Sequence, residues 1–178
     1  MRIVAALLLA CGLALQGAAP VPRPVGDFVK AVDASGQPIS LANYKGKVVV
    51  VQFLYTWCQH CQETARMLSK IQSEMASQGV QVIGIAFNDE VNTKNMAANS
   101  LELNKFKAHA TFPLGMAAKE ATIKYLGISI LETRFGVPQL IIIDRKGVIQ
   151  AQTEAAPTGK LLAEPNLRAK LAQILAQK

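Results

Sequence analysis

The chain has 178 residues, of which 51% are hydrophobic and 17% charged, and its formal net charge is +7. That length suits one domain with a short leader, and the apolar share supports a sizeable core and excludes long disorder. The 19 Lys and Arg residues are dispersed, with no basic block interleaved with aromatics, so nucleic-acid binding is unsupported; such charge serves solubility or attraction to acidic partners and anionic lipid.

Residues 1–19 read as a targeting segment. Arg2 supplies the charge, Ile3 to Leu15 is apolar apart from Gly12, and Gln16-Gly17-Ala18-Ala19 is a small-residue exit. The apolar run is short beside the roughly 20 residues that a spanning helix needs. Cleavage is the preferred fate, with a retained anchor or lipidation at Cys11 as alternatives. Residues 20–25, rich in proline, read as a stiff extended spacer, and residues 26–178 as the domain.

Within the domain, Phe28 to Val32 is expected as a short strand, with a turn at Asp33-Ala34-Ser35-Gly36 and a brief extended piece from Ile39 to Leu41. Val48 to Phe53 is β-branched and nearly all apolar, as in a central strand buried on both faces. Gln59 to Gln78 is a long helix whose stripe runs through Ala65, Leu68, Ile71, Gln72 and Met75, with Gly79 as its stop. Val80 to Phe87 is a second buried strand, and a polar amphipathic stretch follows to Phe106. Thr111 to Leu114 is extended, and Ala117 to Leu126 is helical and ends at Gly127. Gln139 to Ile143 pairs through the turn Asp144-Arg145-Lys146-Gly147 with Val148 to Gln152. Residues 162–176 form a last helix on Leu167, Leu171 and Leu175. The order predicts an α/β fold with a central mixed sheet, flanking helices and an N-terminal β extension. Its βαβ unit places the strands at 48–53 and 80–87 in parallel.

The chemistry concentrates at Trp57-Cys58-Gln59-His60-Cys61. Two thiols three apart, after a buried strand and at the start of a helix, read as a redox dithiol. The free N–H groups and positive dipole end of the helix favour a thiolate at Cys58. Cys61, one turn on, is placed to resolve a mixed disulfide formed by Cys58. A zinc site would need two more ligands, and only Cys11, His60 and His109 remain. A structural disulfide this local would close a tiny loop and stabilise little. Neither a metal nor another cofactor is expected.

These features together resemble the thioredoxin superfamily, and within it the exported TlpA/ResA-like thiol–disulfide oxidoreductases of the cell envelope. The resemblance covers about residues 26–178. It rests on the Asp33 to Gly36 turn, Leu41 with Tyr44-Lys45-Gly46-Lys47, the strand into Phe53, the Trp57–Cys61 motif, Phe112-Pro113, Gly136-Val137-Pro138, the run Leu140 to Asp144, and Gly147. It implies a thioredoxin-like fold, with Pro138 as a cis-proline facing the dithiol and the Val137 backbone pairing with the substrate chain. Trp57, Gln59 and His60 would shape the site.

Three positions depart from the pattern. Where thioredoxins often carry a buried Asp before the motif stands Gln52, which cannot titrate. Where several relatives place a Glu after the second Cys stands Thr64, with Glu63 one residue earlier, about 100° round the helix. Gln52 and Glu63 are the candidate proton relays. His60 replaces the Pro of many reductants and is the residue found in DsbA-type oxidants.

The resemblance implies an exported enzyme acting as a reductant in cytochrome maturation or envelope disulfide reduction. A DsbA-like oxidant, a peroxide-reducing redoxin and a non-enzymatic scaffold are the alternatives. Expected partners are protein thiols or disulfides, such as an apocytochrome or secreted proteins, and an upstream membrane electron donor. The expected state is a monomer in the periplasm or at the outer face of the cytoplasmic membrane, with peripheral membrane association open.

Overall fold

Alternating faces of one strand organise the molecule. In this computed structural model, which describes residues 18–88, 96–129, 135–156 and 159–177, the elements in order are β1 (Arg23–Pro24), β2 (Ala31–Val32), β3 (Pro38–Ile39), β4 (Val48–Leu54), α1 (Gln59–Met75), β5 (Val80–Ala86), α2 (Met96–Phe106), β6 (Leu114–Met116), α3 (Lys119–Leu126), β7 (Gln139–Ile143), β8 (Val148–Gln152) and α4 (Glu164–Leu175). All seven residues of β4 are buried. Val48, Val50 and Leu54 join the core beneath α1 and α4, while Val49, Val51 and Phe53 join the core beneath α3. A strand whose two pleat faces are both covered needs apolar residues at every position, which this run supplies apart from Gln52.

The described strands form one mixed sheet in the order β1-β8-β7-β4-β5-β6-β2-β3. β4 runs parallel to β5, with Val48 opposite Val80 and Leu54 opposite Ala86, and antiparallel to β7, with Gln52 opposite Leu140. The thioredoxin-like fold and the N-terminal β extension are therefore as expected. Gly84 of β5 faces the α1 side. A Cβ there would lie 2.7 Å from Leu114 Cδ2 and 3.1 Å from the Phe112 ring, so a larger residue would require these side chains to shift.

α1 buries Cys61, Ala65, Leu68, Ile71 and Met75 along one stripe. Gln72 stands beside that stripe and its Oε1 accepts the Val82 N–H at 2.6 Å, tying helix to sheet. Gly79 closes the segment at φ 93°. In α4 the buried residues are Leu167, Leu171 and Ile174, with Leu175 half-buried, because the 3.6-residue turn carries the stripe back one position over two turns.

Several boundaries differ from the expectation. The strand at 28–32 shortens to Ala31–Val32, which pairs with β3 and with Met116. Leu41–Tyr44 is a 3-10 turn, begun by the Ser40 side chain accepting the Ala42 N–H. The extended piece expected at 111–114 lies at Leu114–Met116, where β5 and β2 supply its partners. The proline-rich segment is more than a spacer: Arg23 and Pro24 pair with Ile149 and Val148 at the sheet edge, a place that tolerates a residue without an N–H. Arg23 is fixed further by a bond to the Tyr125 carbonyl at 3.2 Å. The expected leader lies outside the described residues except at Ala18 and Ala19, as does the start of the polar stretch after Asn88. Among the described residues no helix is long and apolar enough to cross a membrane.

Leu68 is fully buried in the middle of α1, two helical turns beyond Cys61. Leu68→Ala is expected to lower the free energy of unfolding by about 2–5 kcal/mol through a core cavity. Urea unfolding followed by circular dichroism measures it.

Candidate active site at the start of α1

β4 ends at Leu54, and within four residues the chain must turn from a buried strand into a helix. The Cys58 N–H bonds to the Tyr55 carbonyl at 3.2 Å, closing the turn. Cys58 is the N-cap of α1, in extended conformation at φ −76° and ψ 116°. Its sulfur takes the place of a capping oxygen and accepts the Cys61 N–H at 3.2 Å. One of the N–H groups left without a helical partner at the helix start thus finds its acceptor in the sulfur of Cys58.

The two thiols, both free, have opposite surroundings. Cys58 is half-buried at the surface, whereas Cys61 is wholly buried. Burial pushes the Cys61 thiol far above its ordinary pKa, and the adjacent Cys58 sulfur adds to the rise.

The remaining expected residues are placed as follows. The Val137–Pro138 bond is cis, and the Val137 carbonyl lies 3.9 Å from the Cys58 sulfur. Pro138 is buried and Val137 half-buried. Trp57 is 64% exposed and packs on Tyr55 at 5.2 Å between ring centroids, and Tyr55 packs on Phe87 at 4.8 Å. Gln52 is wholly buried and donates its Nε2 to the Cys61 carbonyl at 2.8 Å, while its Oε1 is buried without a partner. Gln59 and His60 are exposed and turn to Glu63, at 3.1 and 3.3 Å. These bonds hold the Glu63 carboxyl below the usual range, the Gln59 bond most strongly. Glu63 therefore lies on the outer face of α1, while Cys61 lies on the inner face. The geometry brings Gln52 to Cys61 and does not bring Glu63 there. It likewise directs the His60 imidazole to Glu63. His109 lies apart and meets Arg66 at 2.9 Å. Among the described residues no group of three or more His, Cys, Asp or Glu side chains could hold a metal ion.

Five polar residues that the motif did not reveal support the site. Gln139 is wholly buried. Its Nε2 reaches the carbonyls of Gly136 and Ala155 at 2.7 and 3.0 Å, and its Oε1 accepts at 2.5 Å from Thr153, whose hydroxyl in turn accepts the Leu140 N–H. This network fixes the loop that carries Val137. Asn88 and Thr56, both buried, bond side chain to side chain at 2.8 Å, and Thr56 meets Glu102 of α2 at 3.1 Å. The available signal was a polar residue standing in, or just after, an otherwise apolar strand, because such a residue needs a partner inside.

The family model described as AhpC/TSA matches residues 21–152. The chain is 26% identical over 161 residues to the thiol-disulfide oxidoreductase ResA of Geobacillus thermodenitrificans, covering 84% of this chain and 83% of that protein. A thiol:disulfide interchange protein of the thioredoxin family from Chlorobium tepidum superposes with a TM-score of 0.60 at 25% identity, over 89% of this chain and 99% of that one. A second Chlorobium tepidum structure, described as a thiol:disulfide interchange protein DsbE, gives a TM-score of 0.65 at 22% identity, over 87% and 97% of the two chains.

The asymmetry of the thiols has a pH signature. Burial keeps folded Cys61 protonated where an unfolded cysteine ionises, near pH 8.5. Above that pH the unfolded chain binds fewer protons than the folded one. Stability of the reduced protein is therefore full below about pH 8.5 and falls as pH rises, by up to about 1.4 kcal/mol per unit. Urea midpoints of the reduced protein from pH 7 to 10 should show this slope, and Cys61→Ser should flatten it.

Proposed function

The chain belongs to the AhpC/TSA family, and from that premise we propose that it works as an exported reductant of protein disulfides, with Cys58 as attacking thiol and Cys61 as resolving thiol. It is a thiol–disulfide oxidoreductase of the ResA/DsbE type with a thioredoxin-like fold. The observation that carries the residue roles is the contrast between a half-buried Cys58, capped by a helix N–H, and a wholly buried Cys61 one turn behind it.

Cys58 thiolate attacks one sulfur of a substrate disulfide, forming a mixed disulfide and releasing the other substrate sulfur as thiolate. Cys61 then loses its proton and attacks the Cys58 sulfur. The mixed bond breaks, the Cys58–Cys61 disulfide forms, and the second substrate thiolate leaves. Two electrons pass from the dithiol to the substrate, and a membrane electron donor restores the dithiol. The proton of Cys61 passes to the released substrate thiolate or to solvent; Gln52, whose amide holds the Cys61 carbonyl, cannot take it up, and its unpartnered Oε1 serves to orient a water on that path. The substrate backbone lies along Val137 beside Pro138, and the exposed Trp57 covers the mixed disulfide. Gln59 and His60 border the entry.

The reductant direction is supported by His60. Its imidazole faces the Glu63 carboxylate, so any positive charge it gains is met there rather than at Cys58. Residues 1–19 serve as leader or anchor, which places the domain in the periplasm or at the outer face of the cytoplasmic membrane. Partners are disulfide-bonded secreted proteins or an apocytochrome.

The test is reduction of a disulfide-bonded protein with a small-thiol donor, beside a peroxide-consumption arm. Wild type should reduce the disulfide at a dithiol potential above about −300 mV, Cys58→Ser should be inactive, and Cys61→Ser should accumulate a mixed disulfide on Cys58. A lower potential with no turnover would mark a structural disulfide, and peroxide turnover outpacing disulfide reduction would reverse the substrate assignment.

A further inference from the structure

The turn that places Cys58 is held by a directional chain of hydrogen bonds reaching 46 residues along the sequence. Asn88 follows the end of β5 and is 2% exposed. Its Oδ1 accepts the Thr56 N–H at 3.1 Å, and its Nδ2 donates to the Thr56 hydroxyl at 2.8 Å. That hydroxyl has one proton, and Nδ2 can only donate, so the Thr56 O–H must donate onward. It meets Oε2 of Glu102 at 3.1 Å, while Glu102 Oε1 takes Lys105 at 2.8 Å. Lys105 and Thr56 hold the Glu102 carboxyl below its ordinary pKa, Lys105 more strongly, so it is an acceptor at neutral pH. The Thr56 carbonyl accepts from Gln62 of α1 at 3.2 Å, and the Phe87 N–H bonds to the Leu54 carbonyl at 3.1 Å, keeping the ends of β4 and β5 level. Every hydrogen-bonding group of Thr56 is thereby engaged by the end of β5, α1 or α2.

We infer that Asn88 is a positioning residue for Cys58, acting through Thr56 and oriented by Glu102, so that α2 and the end of β5 fix the turn presenting the attacking sulfur. This deepens the proposed reaction and rests on Cys58 being its attacking thiol. The reason lies in the shortness of the turn. Residues 55–57 lie between strand and helix; Tyr55 packs on Phe87 at the strand end, but Trp57 is exposed, so apolar packing holds only one end of the turn. Without the Asn88 bonds Thr56 would leave its N–H and hydroxyl short of partners in a buried place, which is costly. The turn would then populate conformations in which the Cys58 sulfur no longer meets the Cys61 N–H.

The direction of the chain gives a sharp test. Asn88→Asp removes the donor and sets two carboxylates on one hydroxyl proton. Asn88→Leu removes both bonds without adding charge. Asn88→Asp combined with Glu102→Gln reverses the chain: the amide introduced on α2 donates to the Thr56 hydroxyl, and the hydroxyl donates to the carboxylate introduced after β5. On the reduced full chain at neutral pH, the readouts are the rate of Cys58 alkylation, the dithiol reduction potential and the urea midpoint. Both single variants should slow Cys58 labelling by roughly three- to tenfold, the scale of one or two buried hydrogen bonds, and make the potential more reducing. The double variant should return labelling to within about twofold of wild type, a coupling that independent sites would not show. Single variants that are less stable but keep wild-type labelling and potential would reduce Asn88 to a structural role and overturn the inference. Should the single variants fail to fold, the double variant decides alone: wild-type labelling supports the reversed chain, and slow labelling or no fold overturns it. A wild type without disulfide turnover would sink the enzymatic reading instead, so the two failures are distinct.

Discussion

The passage from β4 to α1 is the constraint on which the rest of this structure depends. A strand buried on both faces by apolar residues is abruptly followed by the N-terminus of a helix whose first N–H groups have no partner in the helix. The cap at that point is ordinarily an oxygen; here it is the sulfur of Cys58, which accepts the Cys61 N–H. The contact that caps the helix is thus also the one that joins the two cysteines. The parallel pairing of β4 with β5 and the antiparallel pairing with β7 lock the strand end in place. Asn88, just after β5, and Val137, in the loop just before β7, therefore arrive on either side of Cys58.

One helical turn separates two thiols of the same chemistry and gives them different surroundings. Cys61 falls on the stripe with Ala65 and Leu68, so the amphipathic pattern that packs α1 also removes this thiol from water. A neutral thiol suits that place, since a buried charge without a partner is expensive. Cys58 sits at the helix mouth, half-exposed, with an N–H directed at it. The proposed order of events, attack by Cys58 and resolution by Cys61, rests on this difference in burial.

Buried polar side chains mark the places where the site is supported. Gln52, Thr56, Asn88, Gln139 and Thr153 are the buried polar residues around the dithiol and the Val137 loop, and each binds backbone of a neighbouring segment or the partner that does. Polar groups in such a core persist when their bonds fix something that packing alone would leave loose. Here they fix a turn and a loop, the two irregular pieces that meet at Cys58. Gln52 differs from the others in carrying a buried oxygen without a partner, on a side chain whose amide holds the Cys61 carbonyl.

The sequence by itself determined the central strands, α1 with its stop at Gly79, the β7–β8 hairpin and the dithiol, because each rests on local signals: apolar runs, a 3.6-residue stripe, turn residues and the Cys spacing. It also pointed to Gln52 and to Val137-Pro138 through the resemblance that their neighbours carry. It misplaced the short strands at 28–32 and 111–114, since two- and three-residue strands exist only by virtue of the partners that pair with them. It read Arg23-Pro24 as spacer for the same reason, as nothing local reveals that β8 has an open edge. Only the tertiary structure decided that Glu63 and His60 face each other on the outside of α1, that Gln139 and Thr153 secure the Val137 loop, and that Asn88, Thr56 and Glu102 join across 46 residues. Hydrogen bonds between distant segments leave no period in a sequence. They depend on which ends of which strands the sheet order brings together, and that order is settled by the packing of the whole chain.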